Sequence, residues 1–188
     1  SLPFSLSGGN VVYNGDQGQR RIQVGPSSLI PVSDSGVDVF QLIKTGNGTL
    51  SADNTSTNTG SGTVRSLSQN SSLVNDVYTL SFIQLAPTDA VTYEVRDSSA
   101  ALVTSGNYVS GESIDFNGAA MVIDGVPANG DSFTVSPAVN QDVFTTLNNI
   151  ITALEAPSTE LADNSSFHND MSEGLNNIDQ ALDNFLRI

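Results

Sequence analysis

The sequence predicts an α+β protein, a discontinuous helix-plus-hairpin inner domain with an antiparallel β domain inserted into it. Three observations predict it. Residues 77–135 alternate apolar and polar side chains between Gly, Asn and Asp turns. From residue 142 onward the apolar residues change to helical spacing. Residues 45–76, ahead of the strands, hold few large apolar residues and many Gly, Asn, Ser and Thr. The predicted boundaries are 1–44 and 138–188 for the inner domain and 45–137 for the β domain.

The first nine residues, SLPFSLSGG, carry no basic segment and no long apolar run, so no signal peptide is read there. They also lack an initiator Met, which suits a trimmed piece or a mature product. Residues 10–25 predict a hairpin. Val11, Val12 and Tyr13 form one strand, Asn14–Gly18 the turn, and Arg20–Val24 the return, with Ile22 and Val24 on one face. Pro26 and Pro31 punctuate the connection that follows. Residues 33–44 predict a short helix burying Val39, Phe40, Leu42 and Ile43. Residues 45–76 read as loop or edge strand. Asn47, Asn54, Asn70 and Asn164 open N-x-[ST] patterns, which a chain this rich in Asn, Ser and Thr produces by chance.

The strands come next. Tyr78, Leu80 and Phe82 alternate, as do Val91, Tyr93 and Val95. Ile114 and Phe116 lead into Asn117-Gly118, a tight-turn dipeptide, and Ala119, Met121 and Ile123 alternate after it. Phe133 and Val135 close the series. The stretch between the last two strands, GVPANGDSFTV (125–135), raises the question of a calcium loop or a phosphate cradle. Asp124 and Asp131 lack the calcium-loop spacing with its final Glu, and no Lys is present for a phosphate loop. A turn feeding a strand needs only that Gly125, Asn129 and Gly130 take unusual backbone angles and that Pro127 fixes one φ.

Phe144, Leu147, Ile151 and Leu154 then recur at spacings of three, four and three, predicting an amphipathic helix over 142–156 that Val143 and Ile150 widen. Pro157 interrupts it. Ser158 and Thr159 can cap a restart, with Glu160 near the new N-terminus. Leu161, His168, Met171, Leu175, Ile178, Leu182 and Phe185 continue in heptad-like register. So narrow an apolar seam needs a second helix to cover it. The helix at 142–156 is much shorter, which leaves another chain or a helix absent from this sequence. The second is favoured.

Composition narrows the chemistry. Twenty Asp and Glu against six Lys and Arg give a net charge of −14, which disfavours nucleic acid and anionic membranes as partners. No apolar run approaches the roughly 20 residues that span a bilayer. Cysteine is absent, which removes disulfides, thiolate catalysis and cysteine zinc sites. The single histidine, His168, has no second His or Cys to complete a metal site and reads as a polar seam residue fixing register. Asp38, Asp115, Asp124, Asp131, Asp163 and Asp170 could include a glycosidase pair, but the sequence gives no means of joining two of them. A solvated acidic surface is the plainer reading. No GxGxxG, Gly-x-Ser-x-Gly or basic–aromatic stripe appears. No cofactor and no enzyme activity is expected.

Five ordered segments carry a resemblance: YNGDQGQRRIQVG (13–25), GVDVF (36–40), IDFNGAAMVIDGVPANGDSFTV (114–135), DVFTTLNNIITAL (142–154) and LNNIDQALDNFLRI (175–188). Together they resemble the flagellar hook-associated protein 3 family, the flagellin-related hook–filament junction proteins. The glycine-rich turn with its strand and following helix is the most specific part. Residues 45–76 match only in their NTGSG texture. The resemblance implies a structural protein of the extracellular bacterial flagellum, exported without a cleaved signal peptide. Its implied partners are other copies of itself in an adaptor ring, hook-associated protein 1, flagellin and an export chaperone reached through the termini. It also implies that polymerising helices at both ends of the family pattern are missing here. The absent N-terminal helix would then cover the seam, and this piece is expected to be monomeric.

Helix packing and assembly are assigned to Phe144, Leu147, Ile151, Leu154, Leu175, Ile178, Leu182 and Phe185. Packed within the chain, each would be worth about 2–5 kcal/mol if cut to Ala. Flagellin and hook-associated protein 1 are the related alternatives. A secreted glycan-binding β module or adhesin is the alternative of another class.

Overall fold

The structure, a computed structural model, describes residues 2–8, 10–155 and 161–187. β1 (Phe4–Ser7) and β2 (Asn10–Tyr13) form an antiparallel hairpin in which Ser7 faces Asn10. The two residues between them are the Gly8-Gly9 pair, with Gly8 at φ 60°. The predicted 10–25 hairpin is therefore replaced by two others. Val11–Tyr13 pairs backward with Phe4–Leu6, while β3 (Arg21–Gln23) pairs forward with β4 (Leu29–Pro31). With Ser7 opposite Asn10, the connection between these strands is shorter than Asn14–Gly18 would make it.

α1 (Gly36–Phe40) is shorter than the helix predicted over 33–44. Ser35 caps it, its Oγ accepting from the Asp38 N–H at 3.2 Å and donating to Asp38 Oδ2 at 2.8 Å. The chain then leaves helical geometry because Ile43 is buried in another way. β5 (Ile43–Lys44) pairs with β14 (Asn140–Gln141), and Ile43 is buried while Leu42 faces solvent.

Between those paired strands lie two antiparallel sheets. The first has the order β10-β9-β8-β13-β6, built from Leu102–Asn107, Thr92–Arg96, Tyr78–Ile83, Ser132–Pro137 and Leu50–Asn54 respectively. The second has the order β11-β12-β7, from Ser113–Phe116, Ala119–Asp124 and Thr63–Gln69. The composition-poor stretch thus supplies one edge strand to each sheet. Leu50, Tyr78, Leu80, Phe82, Val95, Ile114, Phe116, Met121, Ile123, Phe133 and Val135 form one shared core, each at most 3% exposed. The inward side chains are the alternating ones, as a period-2 pattern requires. Tyr78 and Phe116 bridge the sheets with ring centroids 5.1 Å apart. Asn117 and Gly118 both take positive φ, 43° and 83°, and close the β11–β12 hairpin in two residues. The fold class is α+β.

α2 (Val143–Glu155) starts where Asp142 caps the Thr145 N–H at 2.8 Å and accepts from its hydroxyl at 2.6 Å. α3 (Leu161–Arg187) runs beside α2 and along β5, β6 and β7. The predicted cap at Ser158–Glu160 and the side chains of Leu161 and Asp163 lie outside the described residues. Below the sheets, Phe4, Tyr13, Phe40, Phe144 and Phe185 gather into an aromatic cluster, with consecutive ring centroids 5.1–6.2 Å apart.

Candidate assembly face on the paired helices

An amphipathic helix ordinarily turns its apolar stripe inward. α3 does the reverse. The side it turns to the rest of the chain carries Ser165, Asn169, Glu173, Asn177, Ala181 and Asn184, at spacings of three or four that keep them on one face. All but the half-buried Glu173 are buried. Asn side chains are poor in helix interiors unless their amides find partners, and these do. Asn169 accepts from the Val64 N–H at 2.8 Å and donates to the Gly62 carbonyl at 3.1 Å. Asn177 accepts from the Gly46 N–H at 2.6 Å. Asn184 donates to the Asp38 and Val39 carbonyls at 2.9 and 3.1 Å. Nearer the start of α3, Ser166 accepts from Asn54 Nδ2 at 3.2 Å. These asparagines stitch α3 to β7, to the turn after β5 and to α1.

The apolar stripe is on another side of the helix. Leu147, Ile151, Leu154, Leu175, Leu182 and Phe185 are 38–60% exposed. Phe144 and Ile178 are half-buried. Phe144 and Phe185 join the aromatic cluster through Phe40. Leu147, Ile151, Leu154, Leu175 and Leu182, expected to pack within the chain, each leave about half of their surface to solvent. The α2–α3 contact uses small residues. Thr146, Ala153 and Ala181 are buried, and at Gly174 a Cβ would lie 2.5 Å from Ile150 Cγ1. The helices approach too closely there for two leucine rows to interdigitate. His168 is exposed beside Phe167.

Glu173 sits midway along the buried face and opposes Asp53 of β6, within hydrogen-bonding reach. Burial, the Asp53 charge and contact, and the Asp170 charge push the Glu173 carboxyl up to about 7, against a hydrogen bond from Asn177 that favours ionisation. Burial and the Asp53 charge also raise Asp170. Polar clefts flank Glu173 on both sides. One of about 240 Å³ lies between α3 and the β6–β7 edge, and one of about 300 Å³ lies between α3 and α2.

The other acidic candidates have local duties. Asp131 is buried and accepts from the Thr59, Gly60 and Ala128 N–H groups at 2.8, 2.9 and 2.8 Å. It pins the 125–135 stretch as a turn entering β13. Asp124 pairs with Arg65, whose Nε lies 2.6 Å away. Asp115 accepts from Ser113, and Asp38 belongs to the α1 cap. Among the described residues, no group of three or more His, Cys, Asp or Glu side chains is placed to hold a metal ion. Among the described residues, no helix is long and apolar enough to cross a membrane.

No family model matches the sequence, and no curated relative matches it. Solved structures do. The crystal structure of FlgL from Xanthomonas campestris is 35% identical with a TM-score of 0.91, over all of this chain and 61% of that one. The flagellar junction protein FlgL from Legionella pneumophila is 35% identical with a TM-score of 0.90, again over the whole chain and 61% of its own length. Another Legionella pneumophila structure, named as flagellar hook-associated protein-3, gives the same identity and TM-score over 60% of its length. The chain spans about three fifths of the structures it matches. By fold and by sequence along all of its residues, the chain belongs to the family of flagellar hook-associated protein 3.

Proposed function

We propose that this chain is part of a structural adaptor of the bacterial flagellum, joining hook to filament. Its work in this reading is mechanical, with no catalysis. The observation that carries the reading is the outward apolar stripe of α2 and α3 in a chain that matches hook–filament junction proteins along its whole length. Contiguous exposed apolar surface on a folded chain marks an interaction face. Leu147, Ile151, Leu154, Leu175 and Leu182 are the contact residues, with Phe144, Ile178 and Phe185 bracing the face from behind. Residues 1–44 and 138–188 form the inner part of the subunit and 45–137 the outer part. Its partners are further copies of itself in a ring, hook-associated protein 1 and flagellin, outside the cell.

Deletion of the full-length gene in its host tests this. The expected result is bare hooks by electron microscopy, with unpolymerised flagellin in the medium and hook-associated protein 1 still on the hooks. Complementation by a full-length gene carrying Leu154→Asp and Leu182→Asp should fail to restore filaments. Normal filaments after deletion, with no second gene copy, would overturn the reading in favour of an adhesin. Loss of the filament subunit itself would make the protein flagellin.

A further inference from the structure

Asn169, Asn177 and Asn184 on the buried face of α3 are neutral groups matched donor to acceptor with the chain they face. Glu173 is the exception, because it meets another carboxyl, Asp53. Two carboxylates have only acceptors, so they hold one another only when one carries a proton. The pair also lies between the two rungs that fasten α3 to the β part, Asn169 to β7 and Asn177 to Gly46. We propose that Glu173 and Asp53 form a proton-operated clasp between α3 and β6. Protonated Glu173 donates to Asp53 and closes the row of rungs. Ionised, the pair repels, and the helix–sheet contact between Asn169 and Asn177 loosens.

The surroundings leave the proton in control. From α3 itself, Asp170 adds a second negative charge. From β7, Arg65 lines the same cleft but is committed to Asp124. From α2, the groups facing Glu173 across the second cleft are Thr146, Asn149 and Thr152, none of which is charged. From β5, Lys44 lies farther along α3, beside Gln180 and Asp183. Among the described residues no free cation faces the pair, and the clefts admit water to both sides.

The sign follows from linkage. A carboxyl raised in the folded state binds more proton folded than unfolded. Its stabilisation is complete below about 4.5, its ordinary value, and is lost as pH rises to about 7. Asp170, raised by burial and the Asp53 charge, adds to the slope in the same direction, so Glu173→Gln removes the Glu173 share alone. Asp76 and Asp97, held low by the Ser98 and Ser99 hydroxyls, act only below their ordinary value of 3.8 and so lie outside this window.

The test is a carbon-13 carboxyl titration of the whole chain, with urea unfolding from pH 4.5 to 8. Hydrogen exchange at the Gly46 and Val64 amides is followed alongside, corrected for intrinsic base catalysis. The Glu173 resonance should titrate far above ordinary glutamates, and the urea midpoint should fall with rising pH. Protection at the two amides should drop by about tenfold or more. Glu173→Gln should reduce the pH dependence and exceed the wild type in stability at pH 8. Asp53→Asn, at an exposed position, should lower the Glu173 midpoint even if Glu173→Gln folds poorly. A Glu173 midpoint near 4.5, a stability that is flat or rises across the window, or a Glu173→Gln protein that keeps the slope would overturn the clasp.

Discussion

Asn169→Ala tests whether polar rungs rather than apolar packing hold α3 to the sheets. The side chain makes two bonds to the β7 segment, from the Val64 N–H and to the Gly62 carbonyl. Removing it strands one donor and one acceptor. Gly62 is buried, so its carbonyl bears the full penalty of about 1–3 kcal/mol. Val64 lines the cleft beside β7, where water can replace the lost acceptor, so its share is about 0.5–1 kcal/mol. Alanine returns about 0.6 kcal/mol of helix propensity. The net loss is about 1–3 kcal/mol, a fall of about 2–12 °C in melting temperature for a chain of this size. Asn176→Ala is the control, because that residue is exposed on the same helix and brings the same propensity gain. Thermal unfolding followed by circular dichroism at one pH compares the two. If Asn169→Ala is within about 0.5 kcal/mol of Asn176→Ala, the rung carries no stability and the reasoning is wrong.

Further substitutions probe other contacts. Asp131→Asn turns an amide toward three N–H donors and should lower stability by about 2–4 kcal/mol in urea unfolding; a loss below 1 kcal/mol would mean the 125–135 turn does not depend on it. Gly118→Ala places a Cβ against the backbone of Ser72 and Leu73 at φ 83° and should destabilise by more than about 2 kcal/mol; an unchanged melting temperature would contradict that turn. Leu154→Ala and Leu182→Ala should each lower stability by about 1 kcal/mol or less, because both side chains are already half in water. A loss of 3 kcal/mol in either, or a concentration-dependent melting temperature, would show that the stripe is covered in solution.

What was legible in the sequence divides along physical lines. The strands of the β core declared themselves because one buried face imposes strict alternation, and Asn117-Gly118 named its own turn. Both helices showed their period. The face each helix turns inward did not show, because periodicity reports that a stripe exists and not what covers it. The signal for the inward face was available in Asn169, Asn177 and Asn184, spaced by eight and seven along one helix. Residues so unfavourable in a helix interior imply partners for their amides. The N-terminal pairing was hard to read because Asn14–Gly18 offers a turn signal that competes with Gly8-Gly9. That also hid Phe4, which meets Tyr13, Phe40 and Phe144. The Glu173–Asp53 contact spans two distant segments and left no local pattern to read.

The pairing of β5 with β14 sets Lys44 opposite Asn140. The chain therefore leaves for the β sheets and returns from them at neighbouring points on one short ladder. Everything between is, for the rest of the fold, a detour whose ends are already joined. Closing such a detour with a brief linker adds little entropy cost, since closure grows only as the logarithm of length. Strands away from α3, such as β9, β10 and β11, can accordingly grow, shrink or be exchanged, while β6 and β7, which Ser166 and Asn169 tie to α3, stay in place. The outer surface is free to diversify while the helical base keeps its geometry.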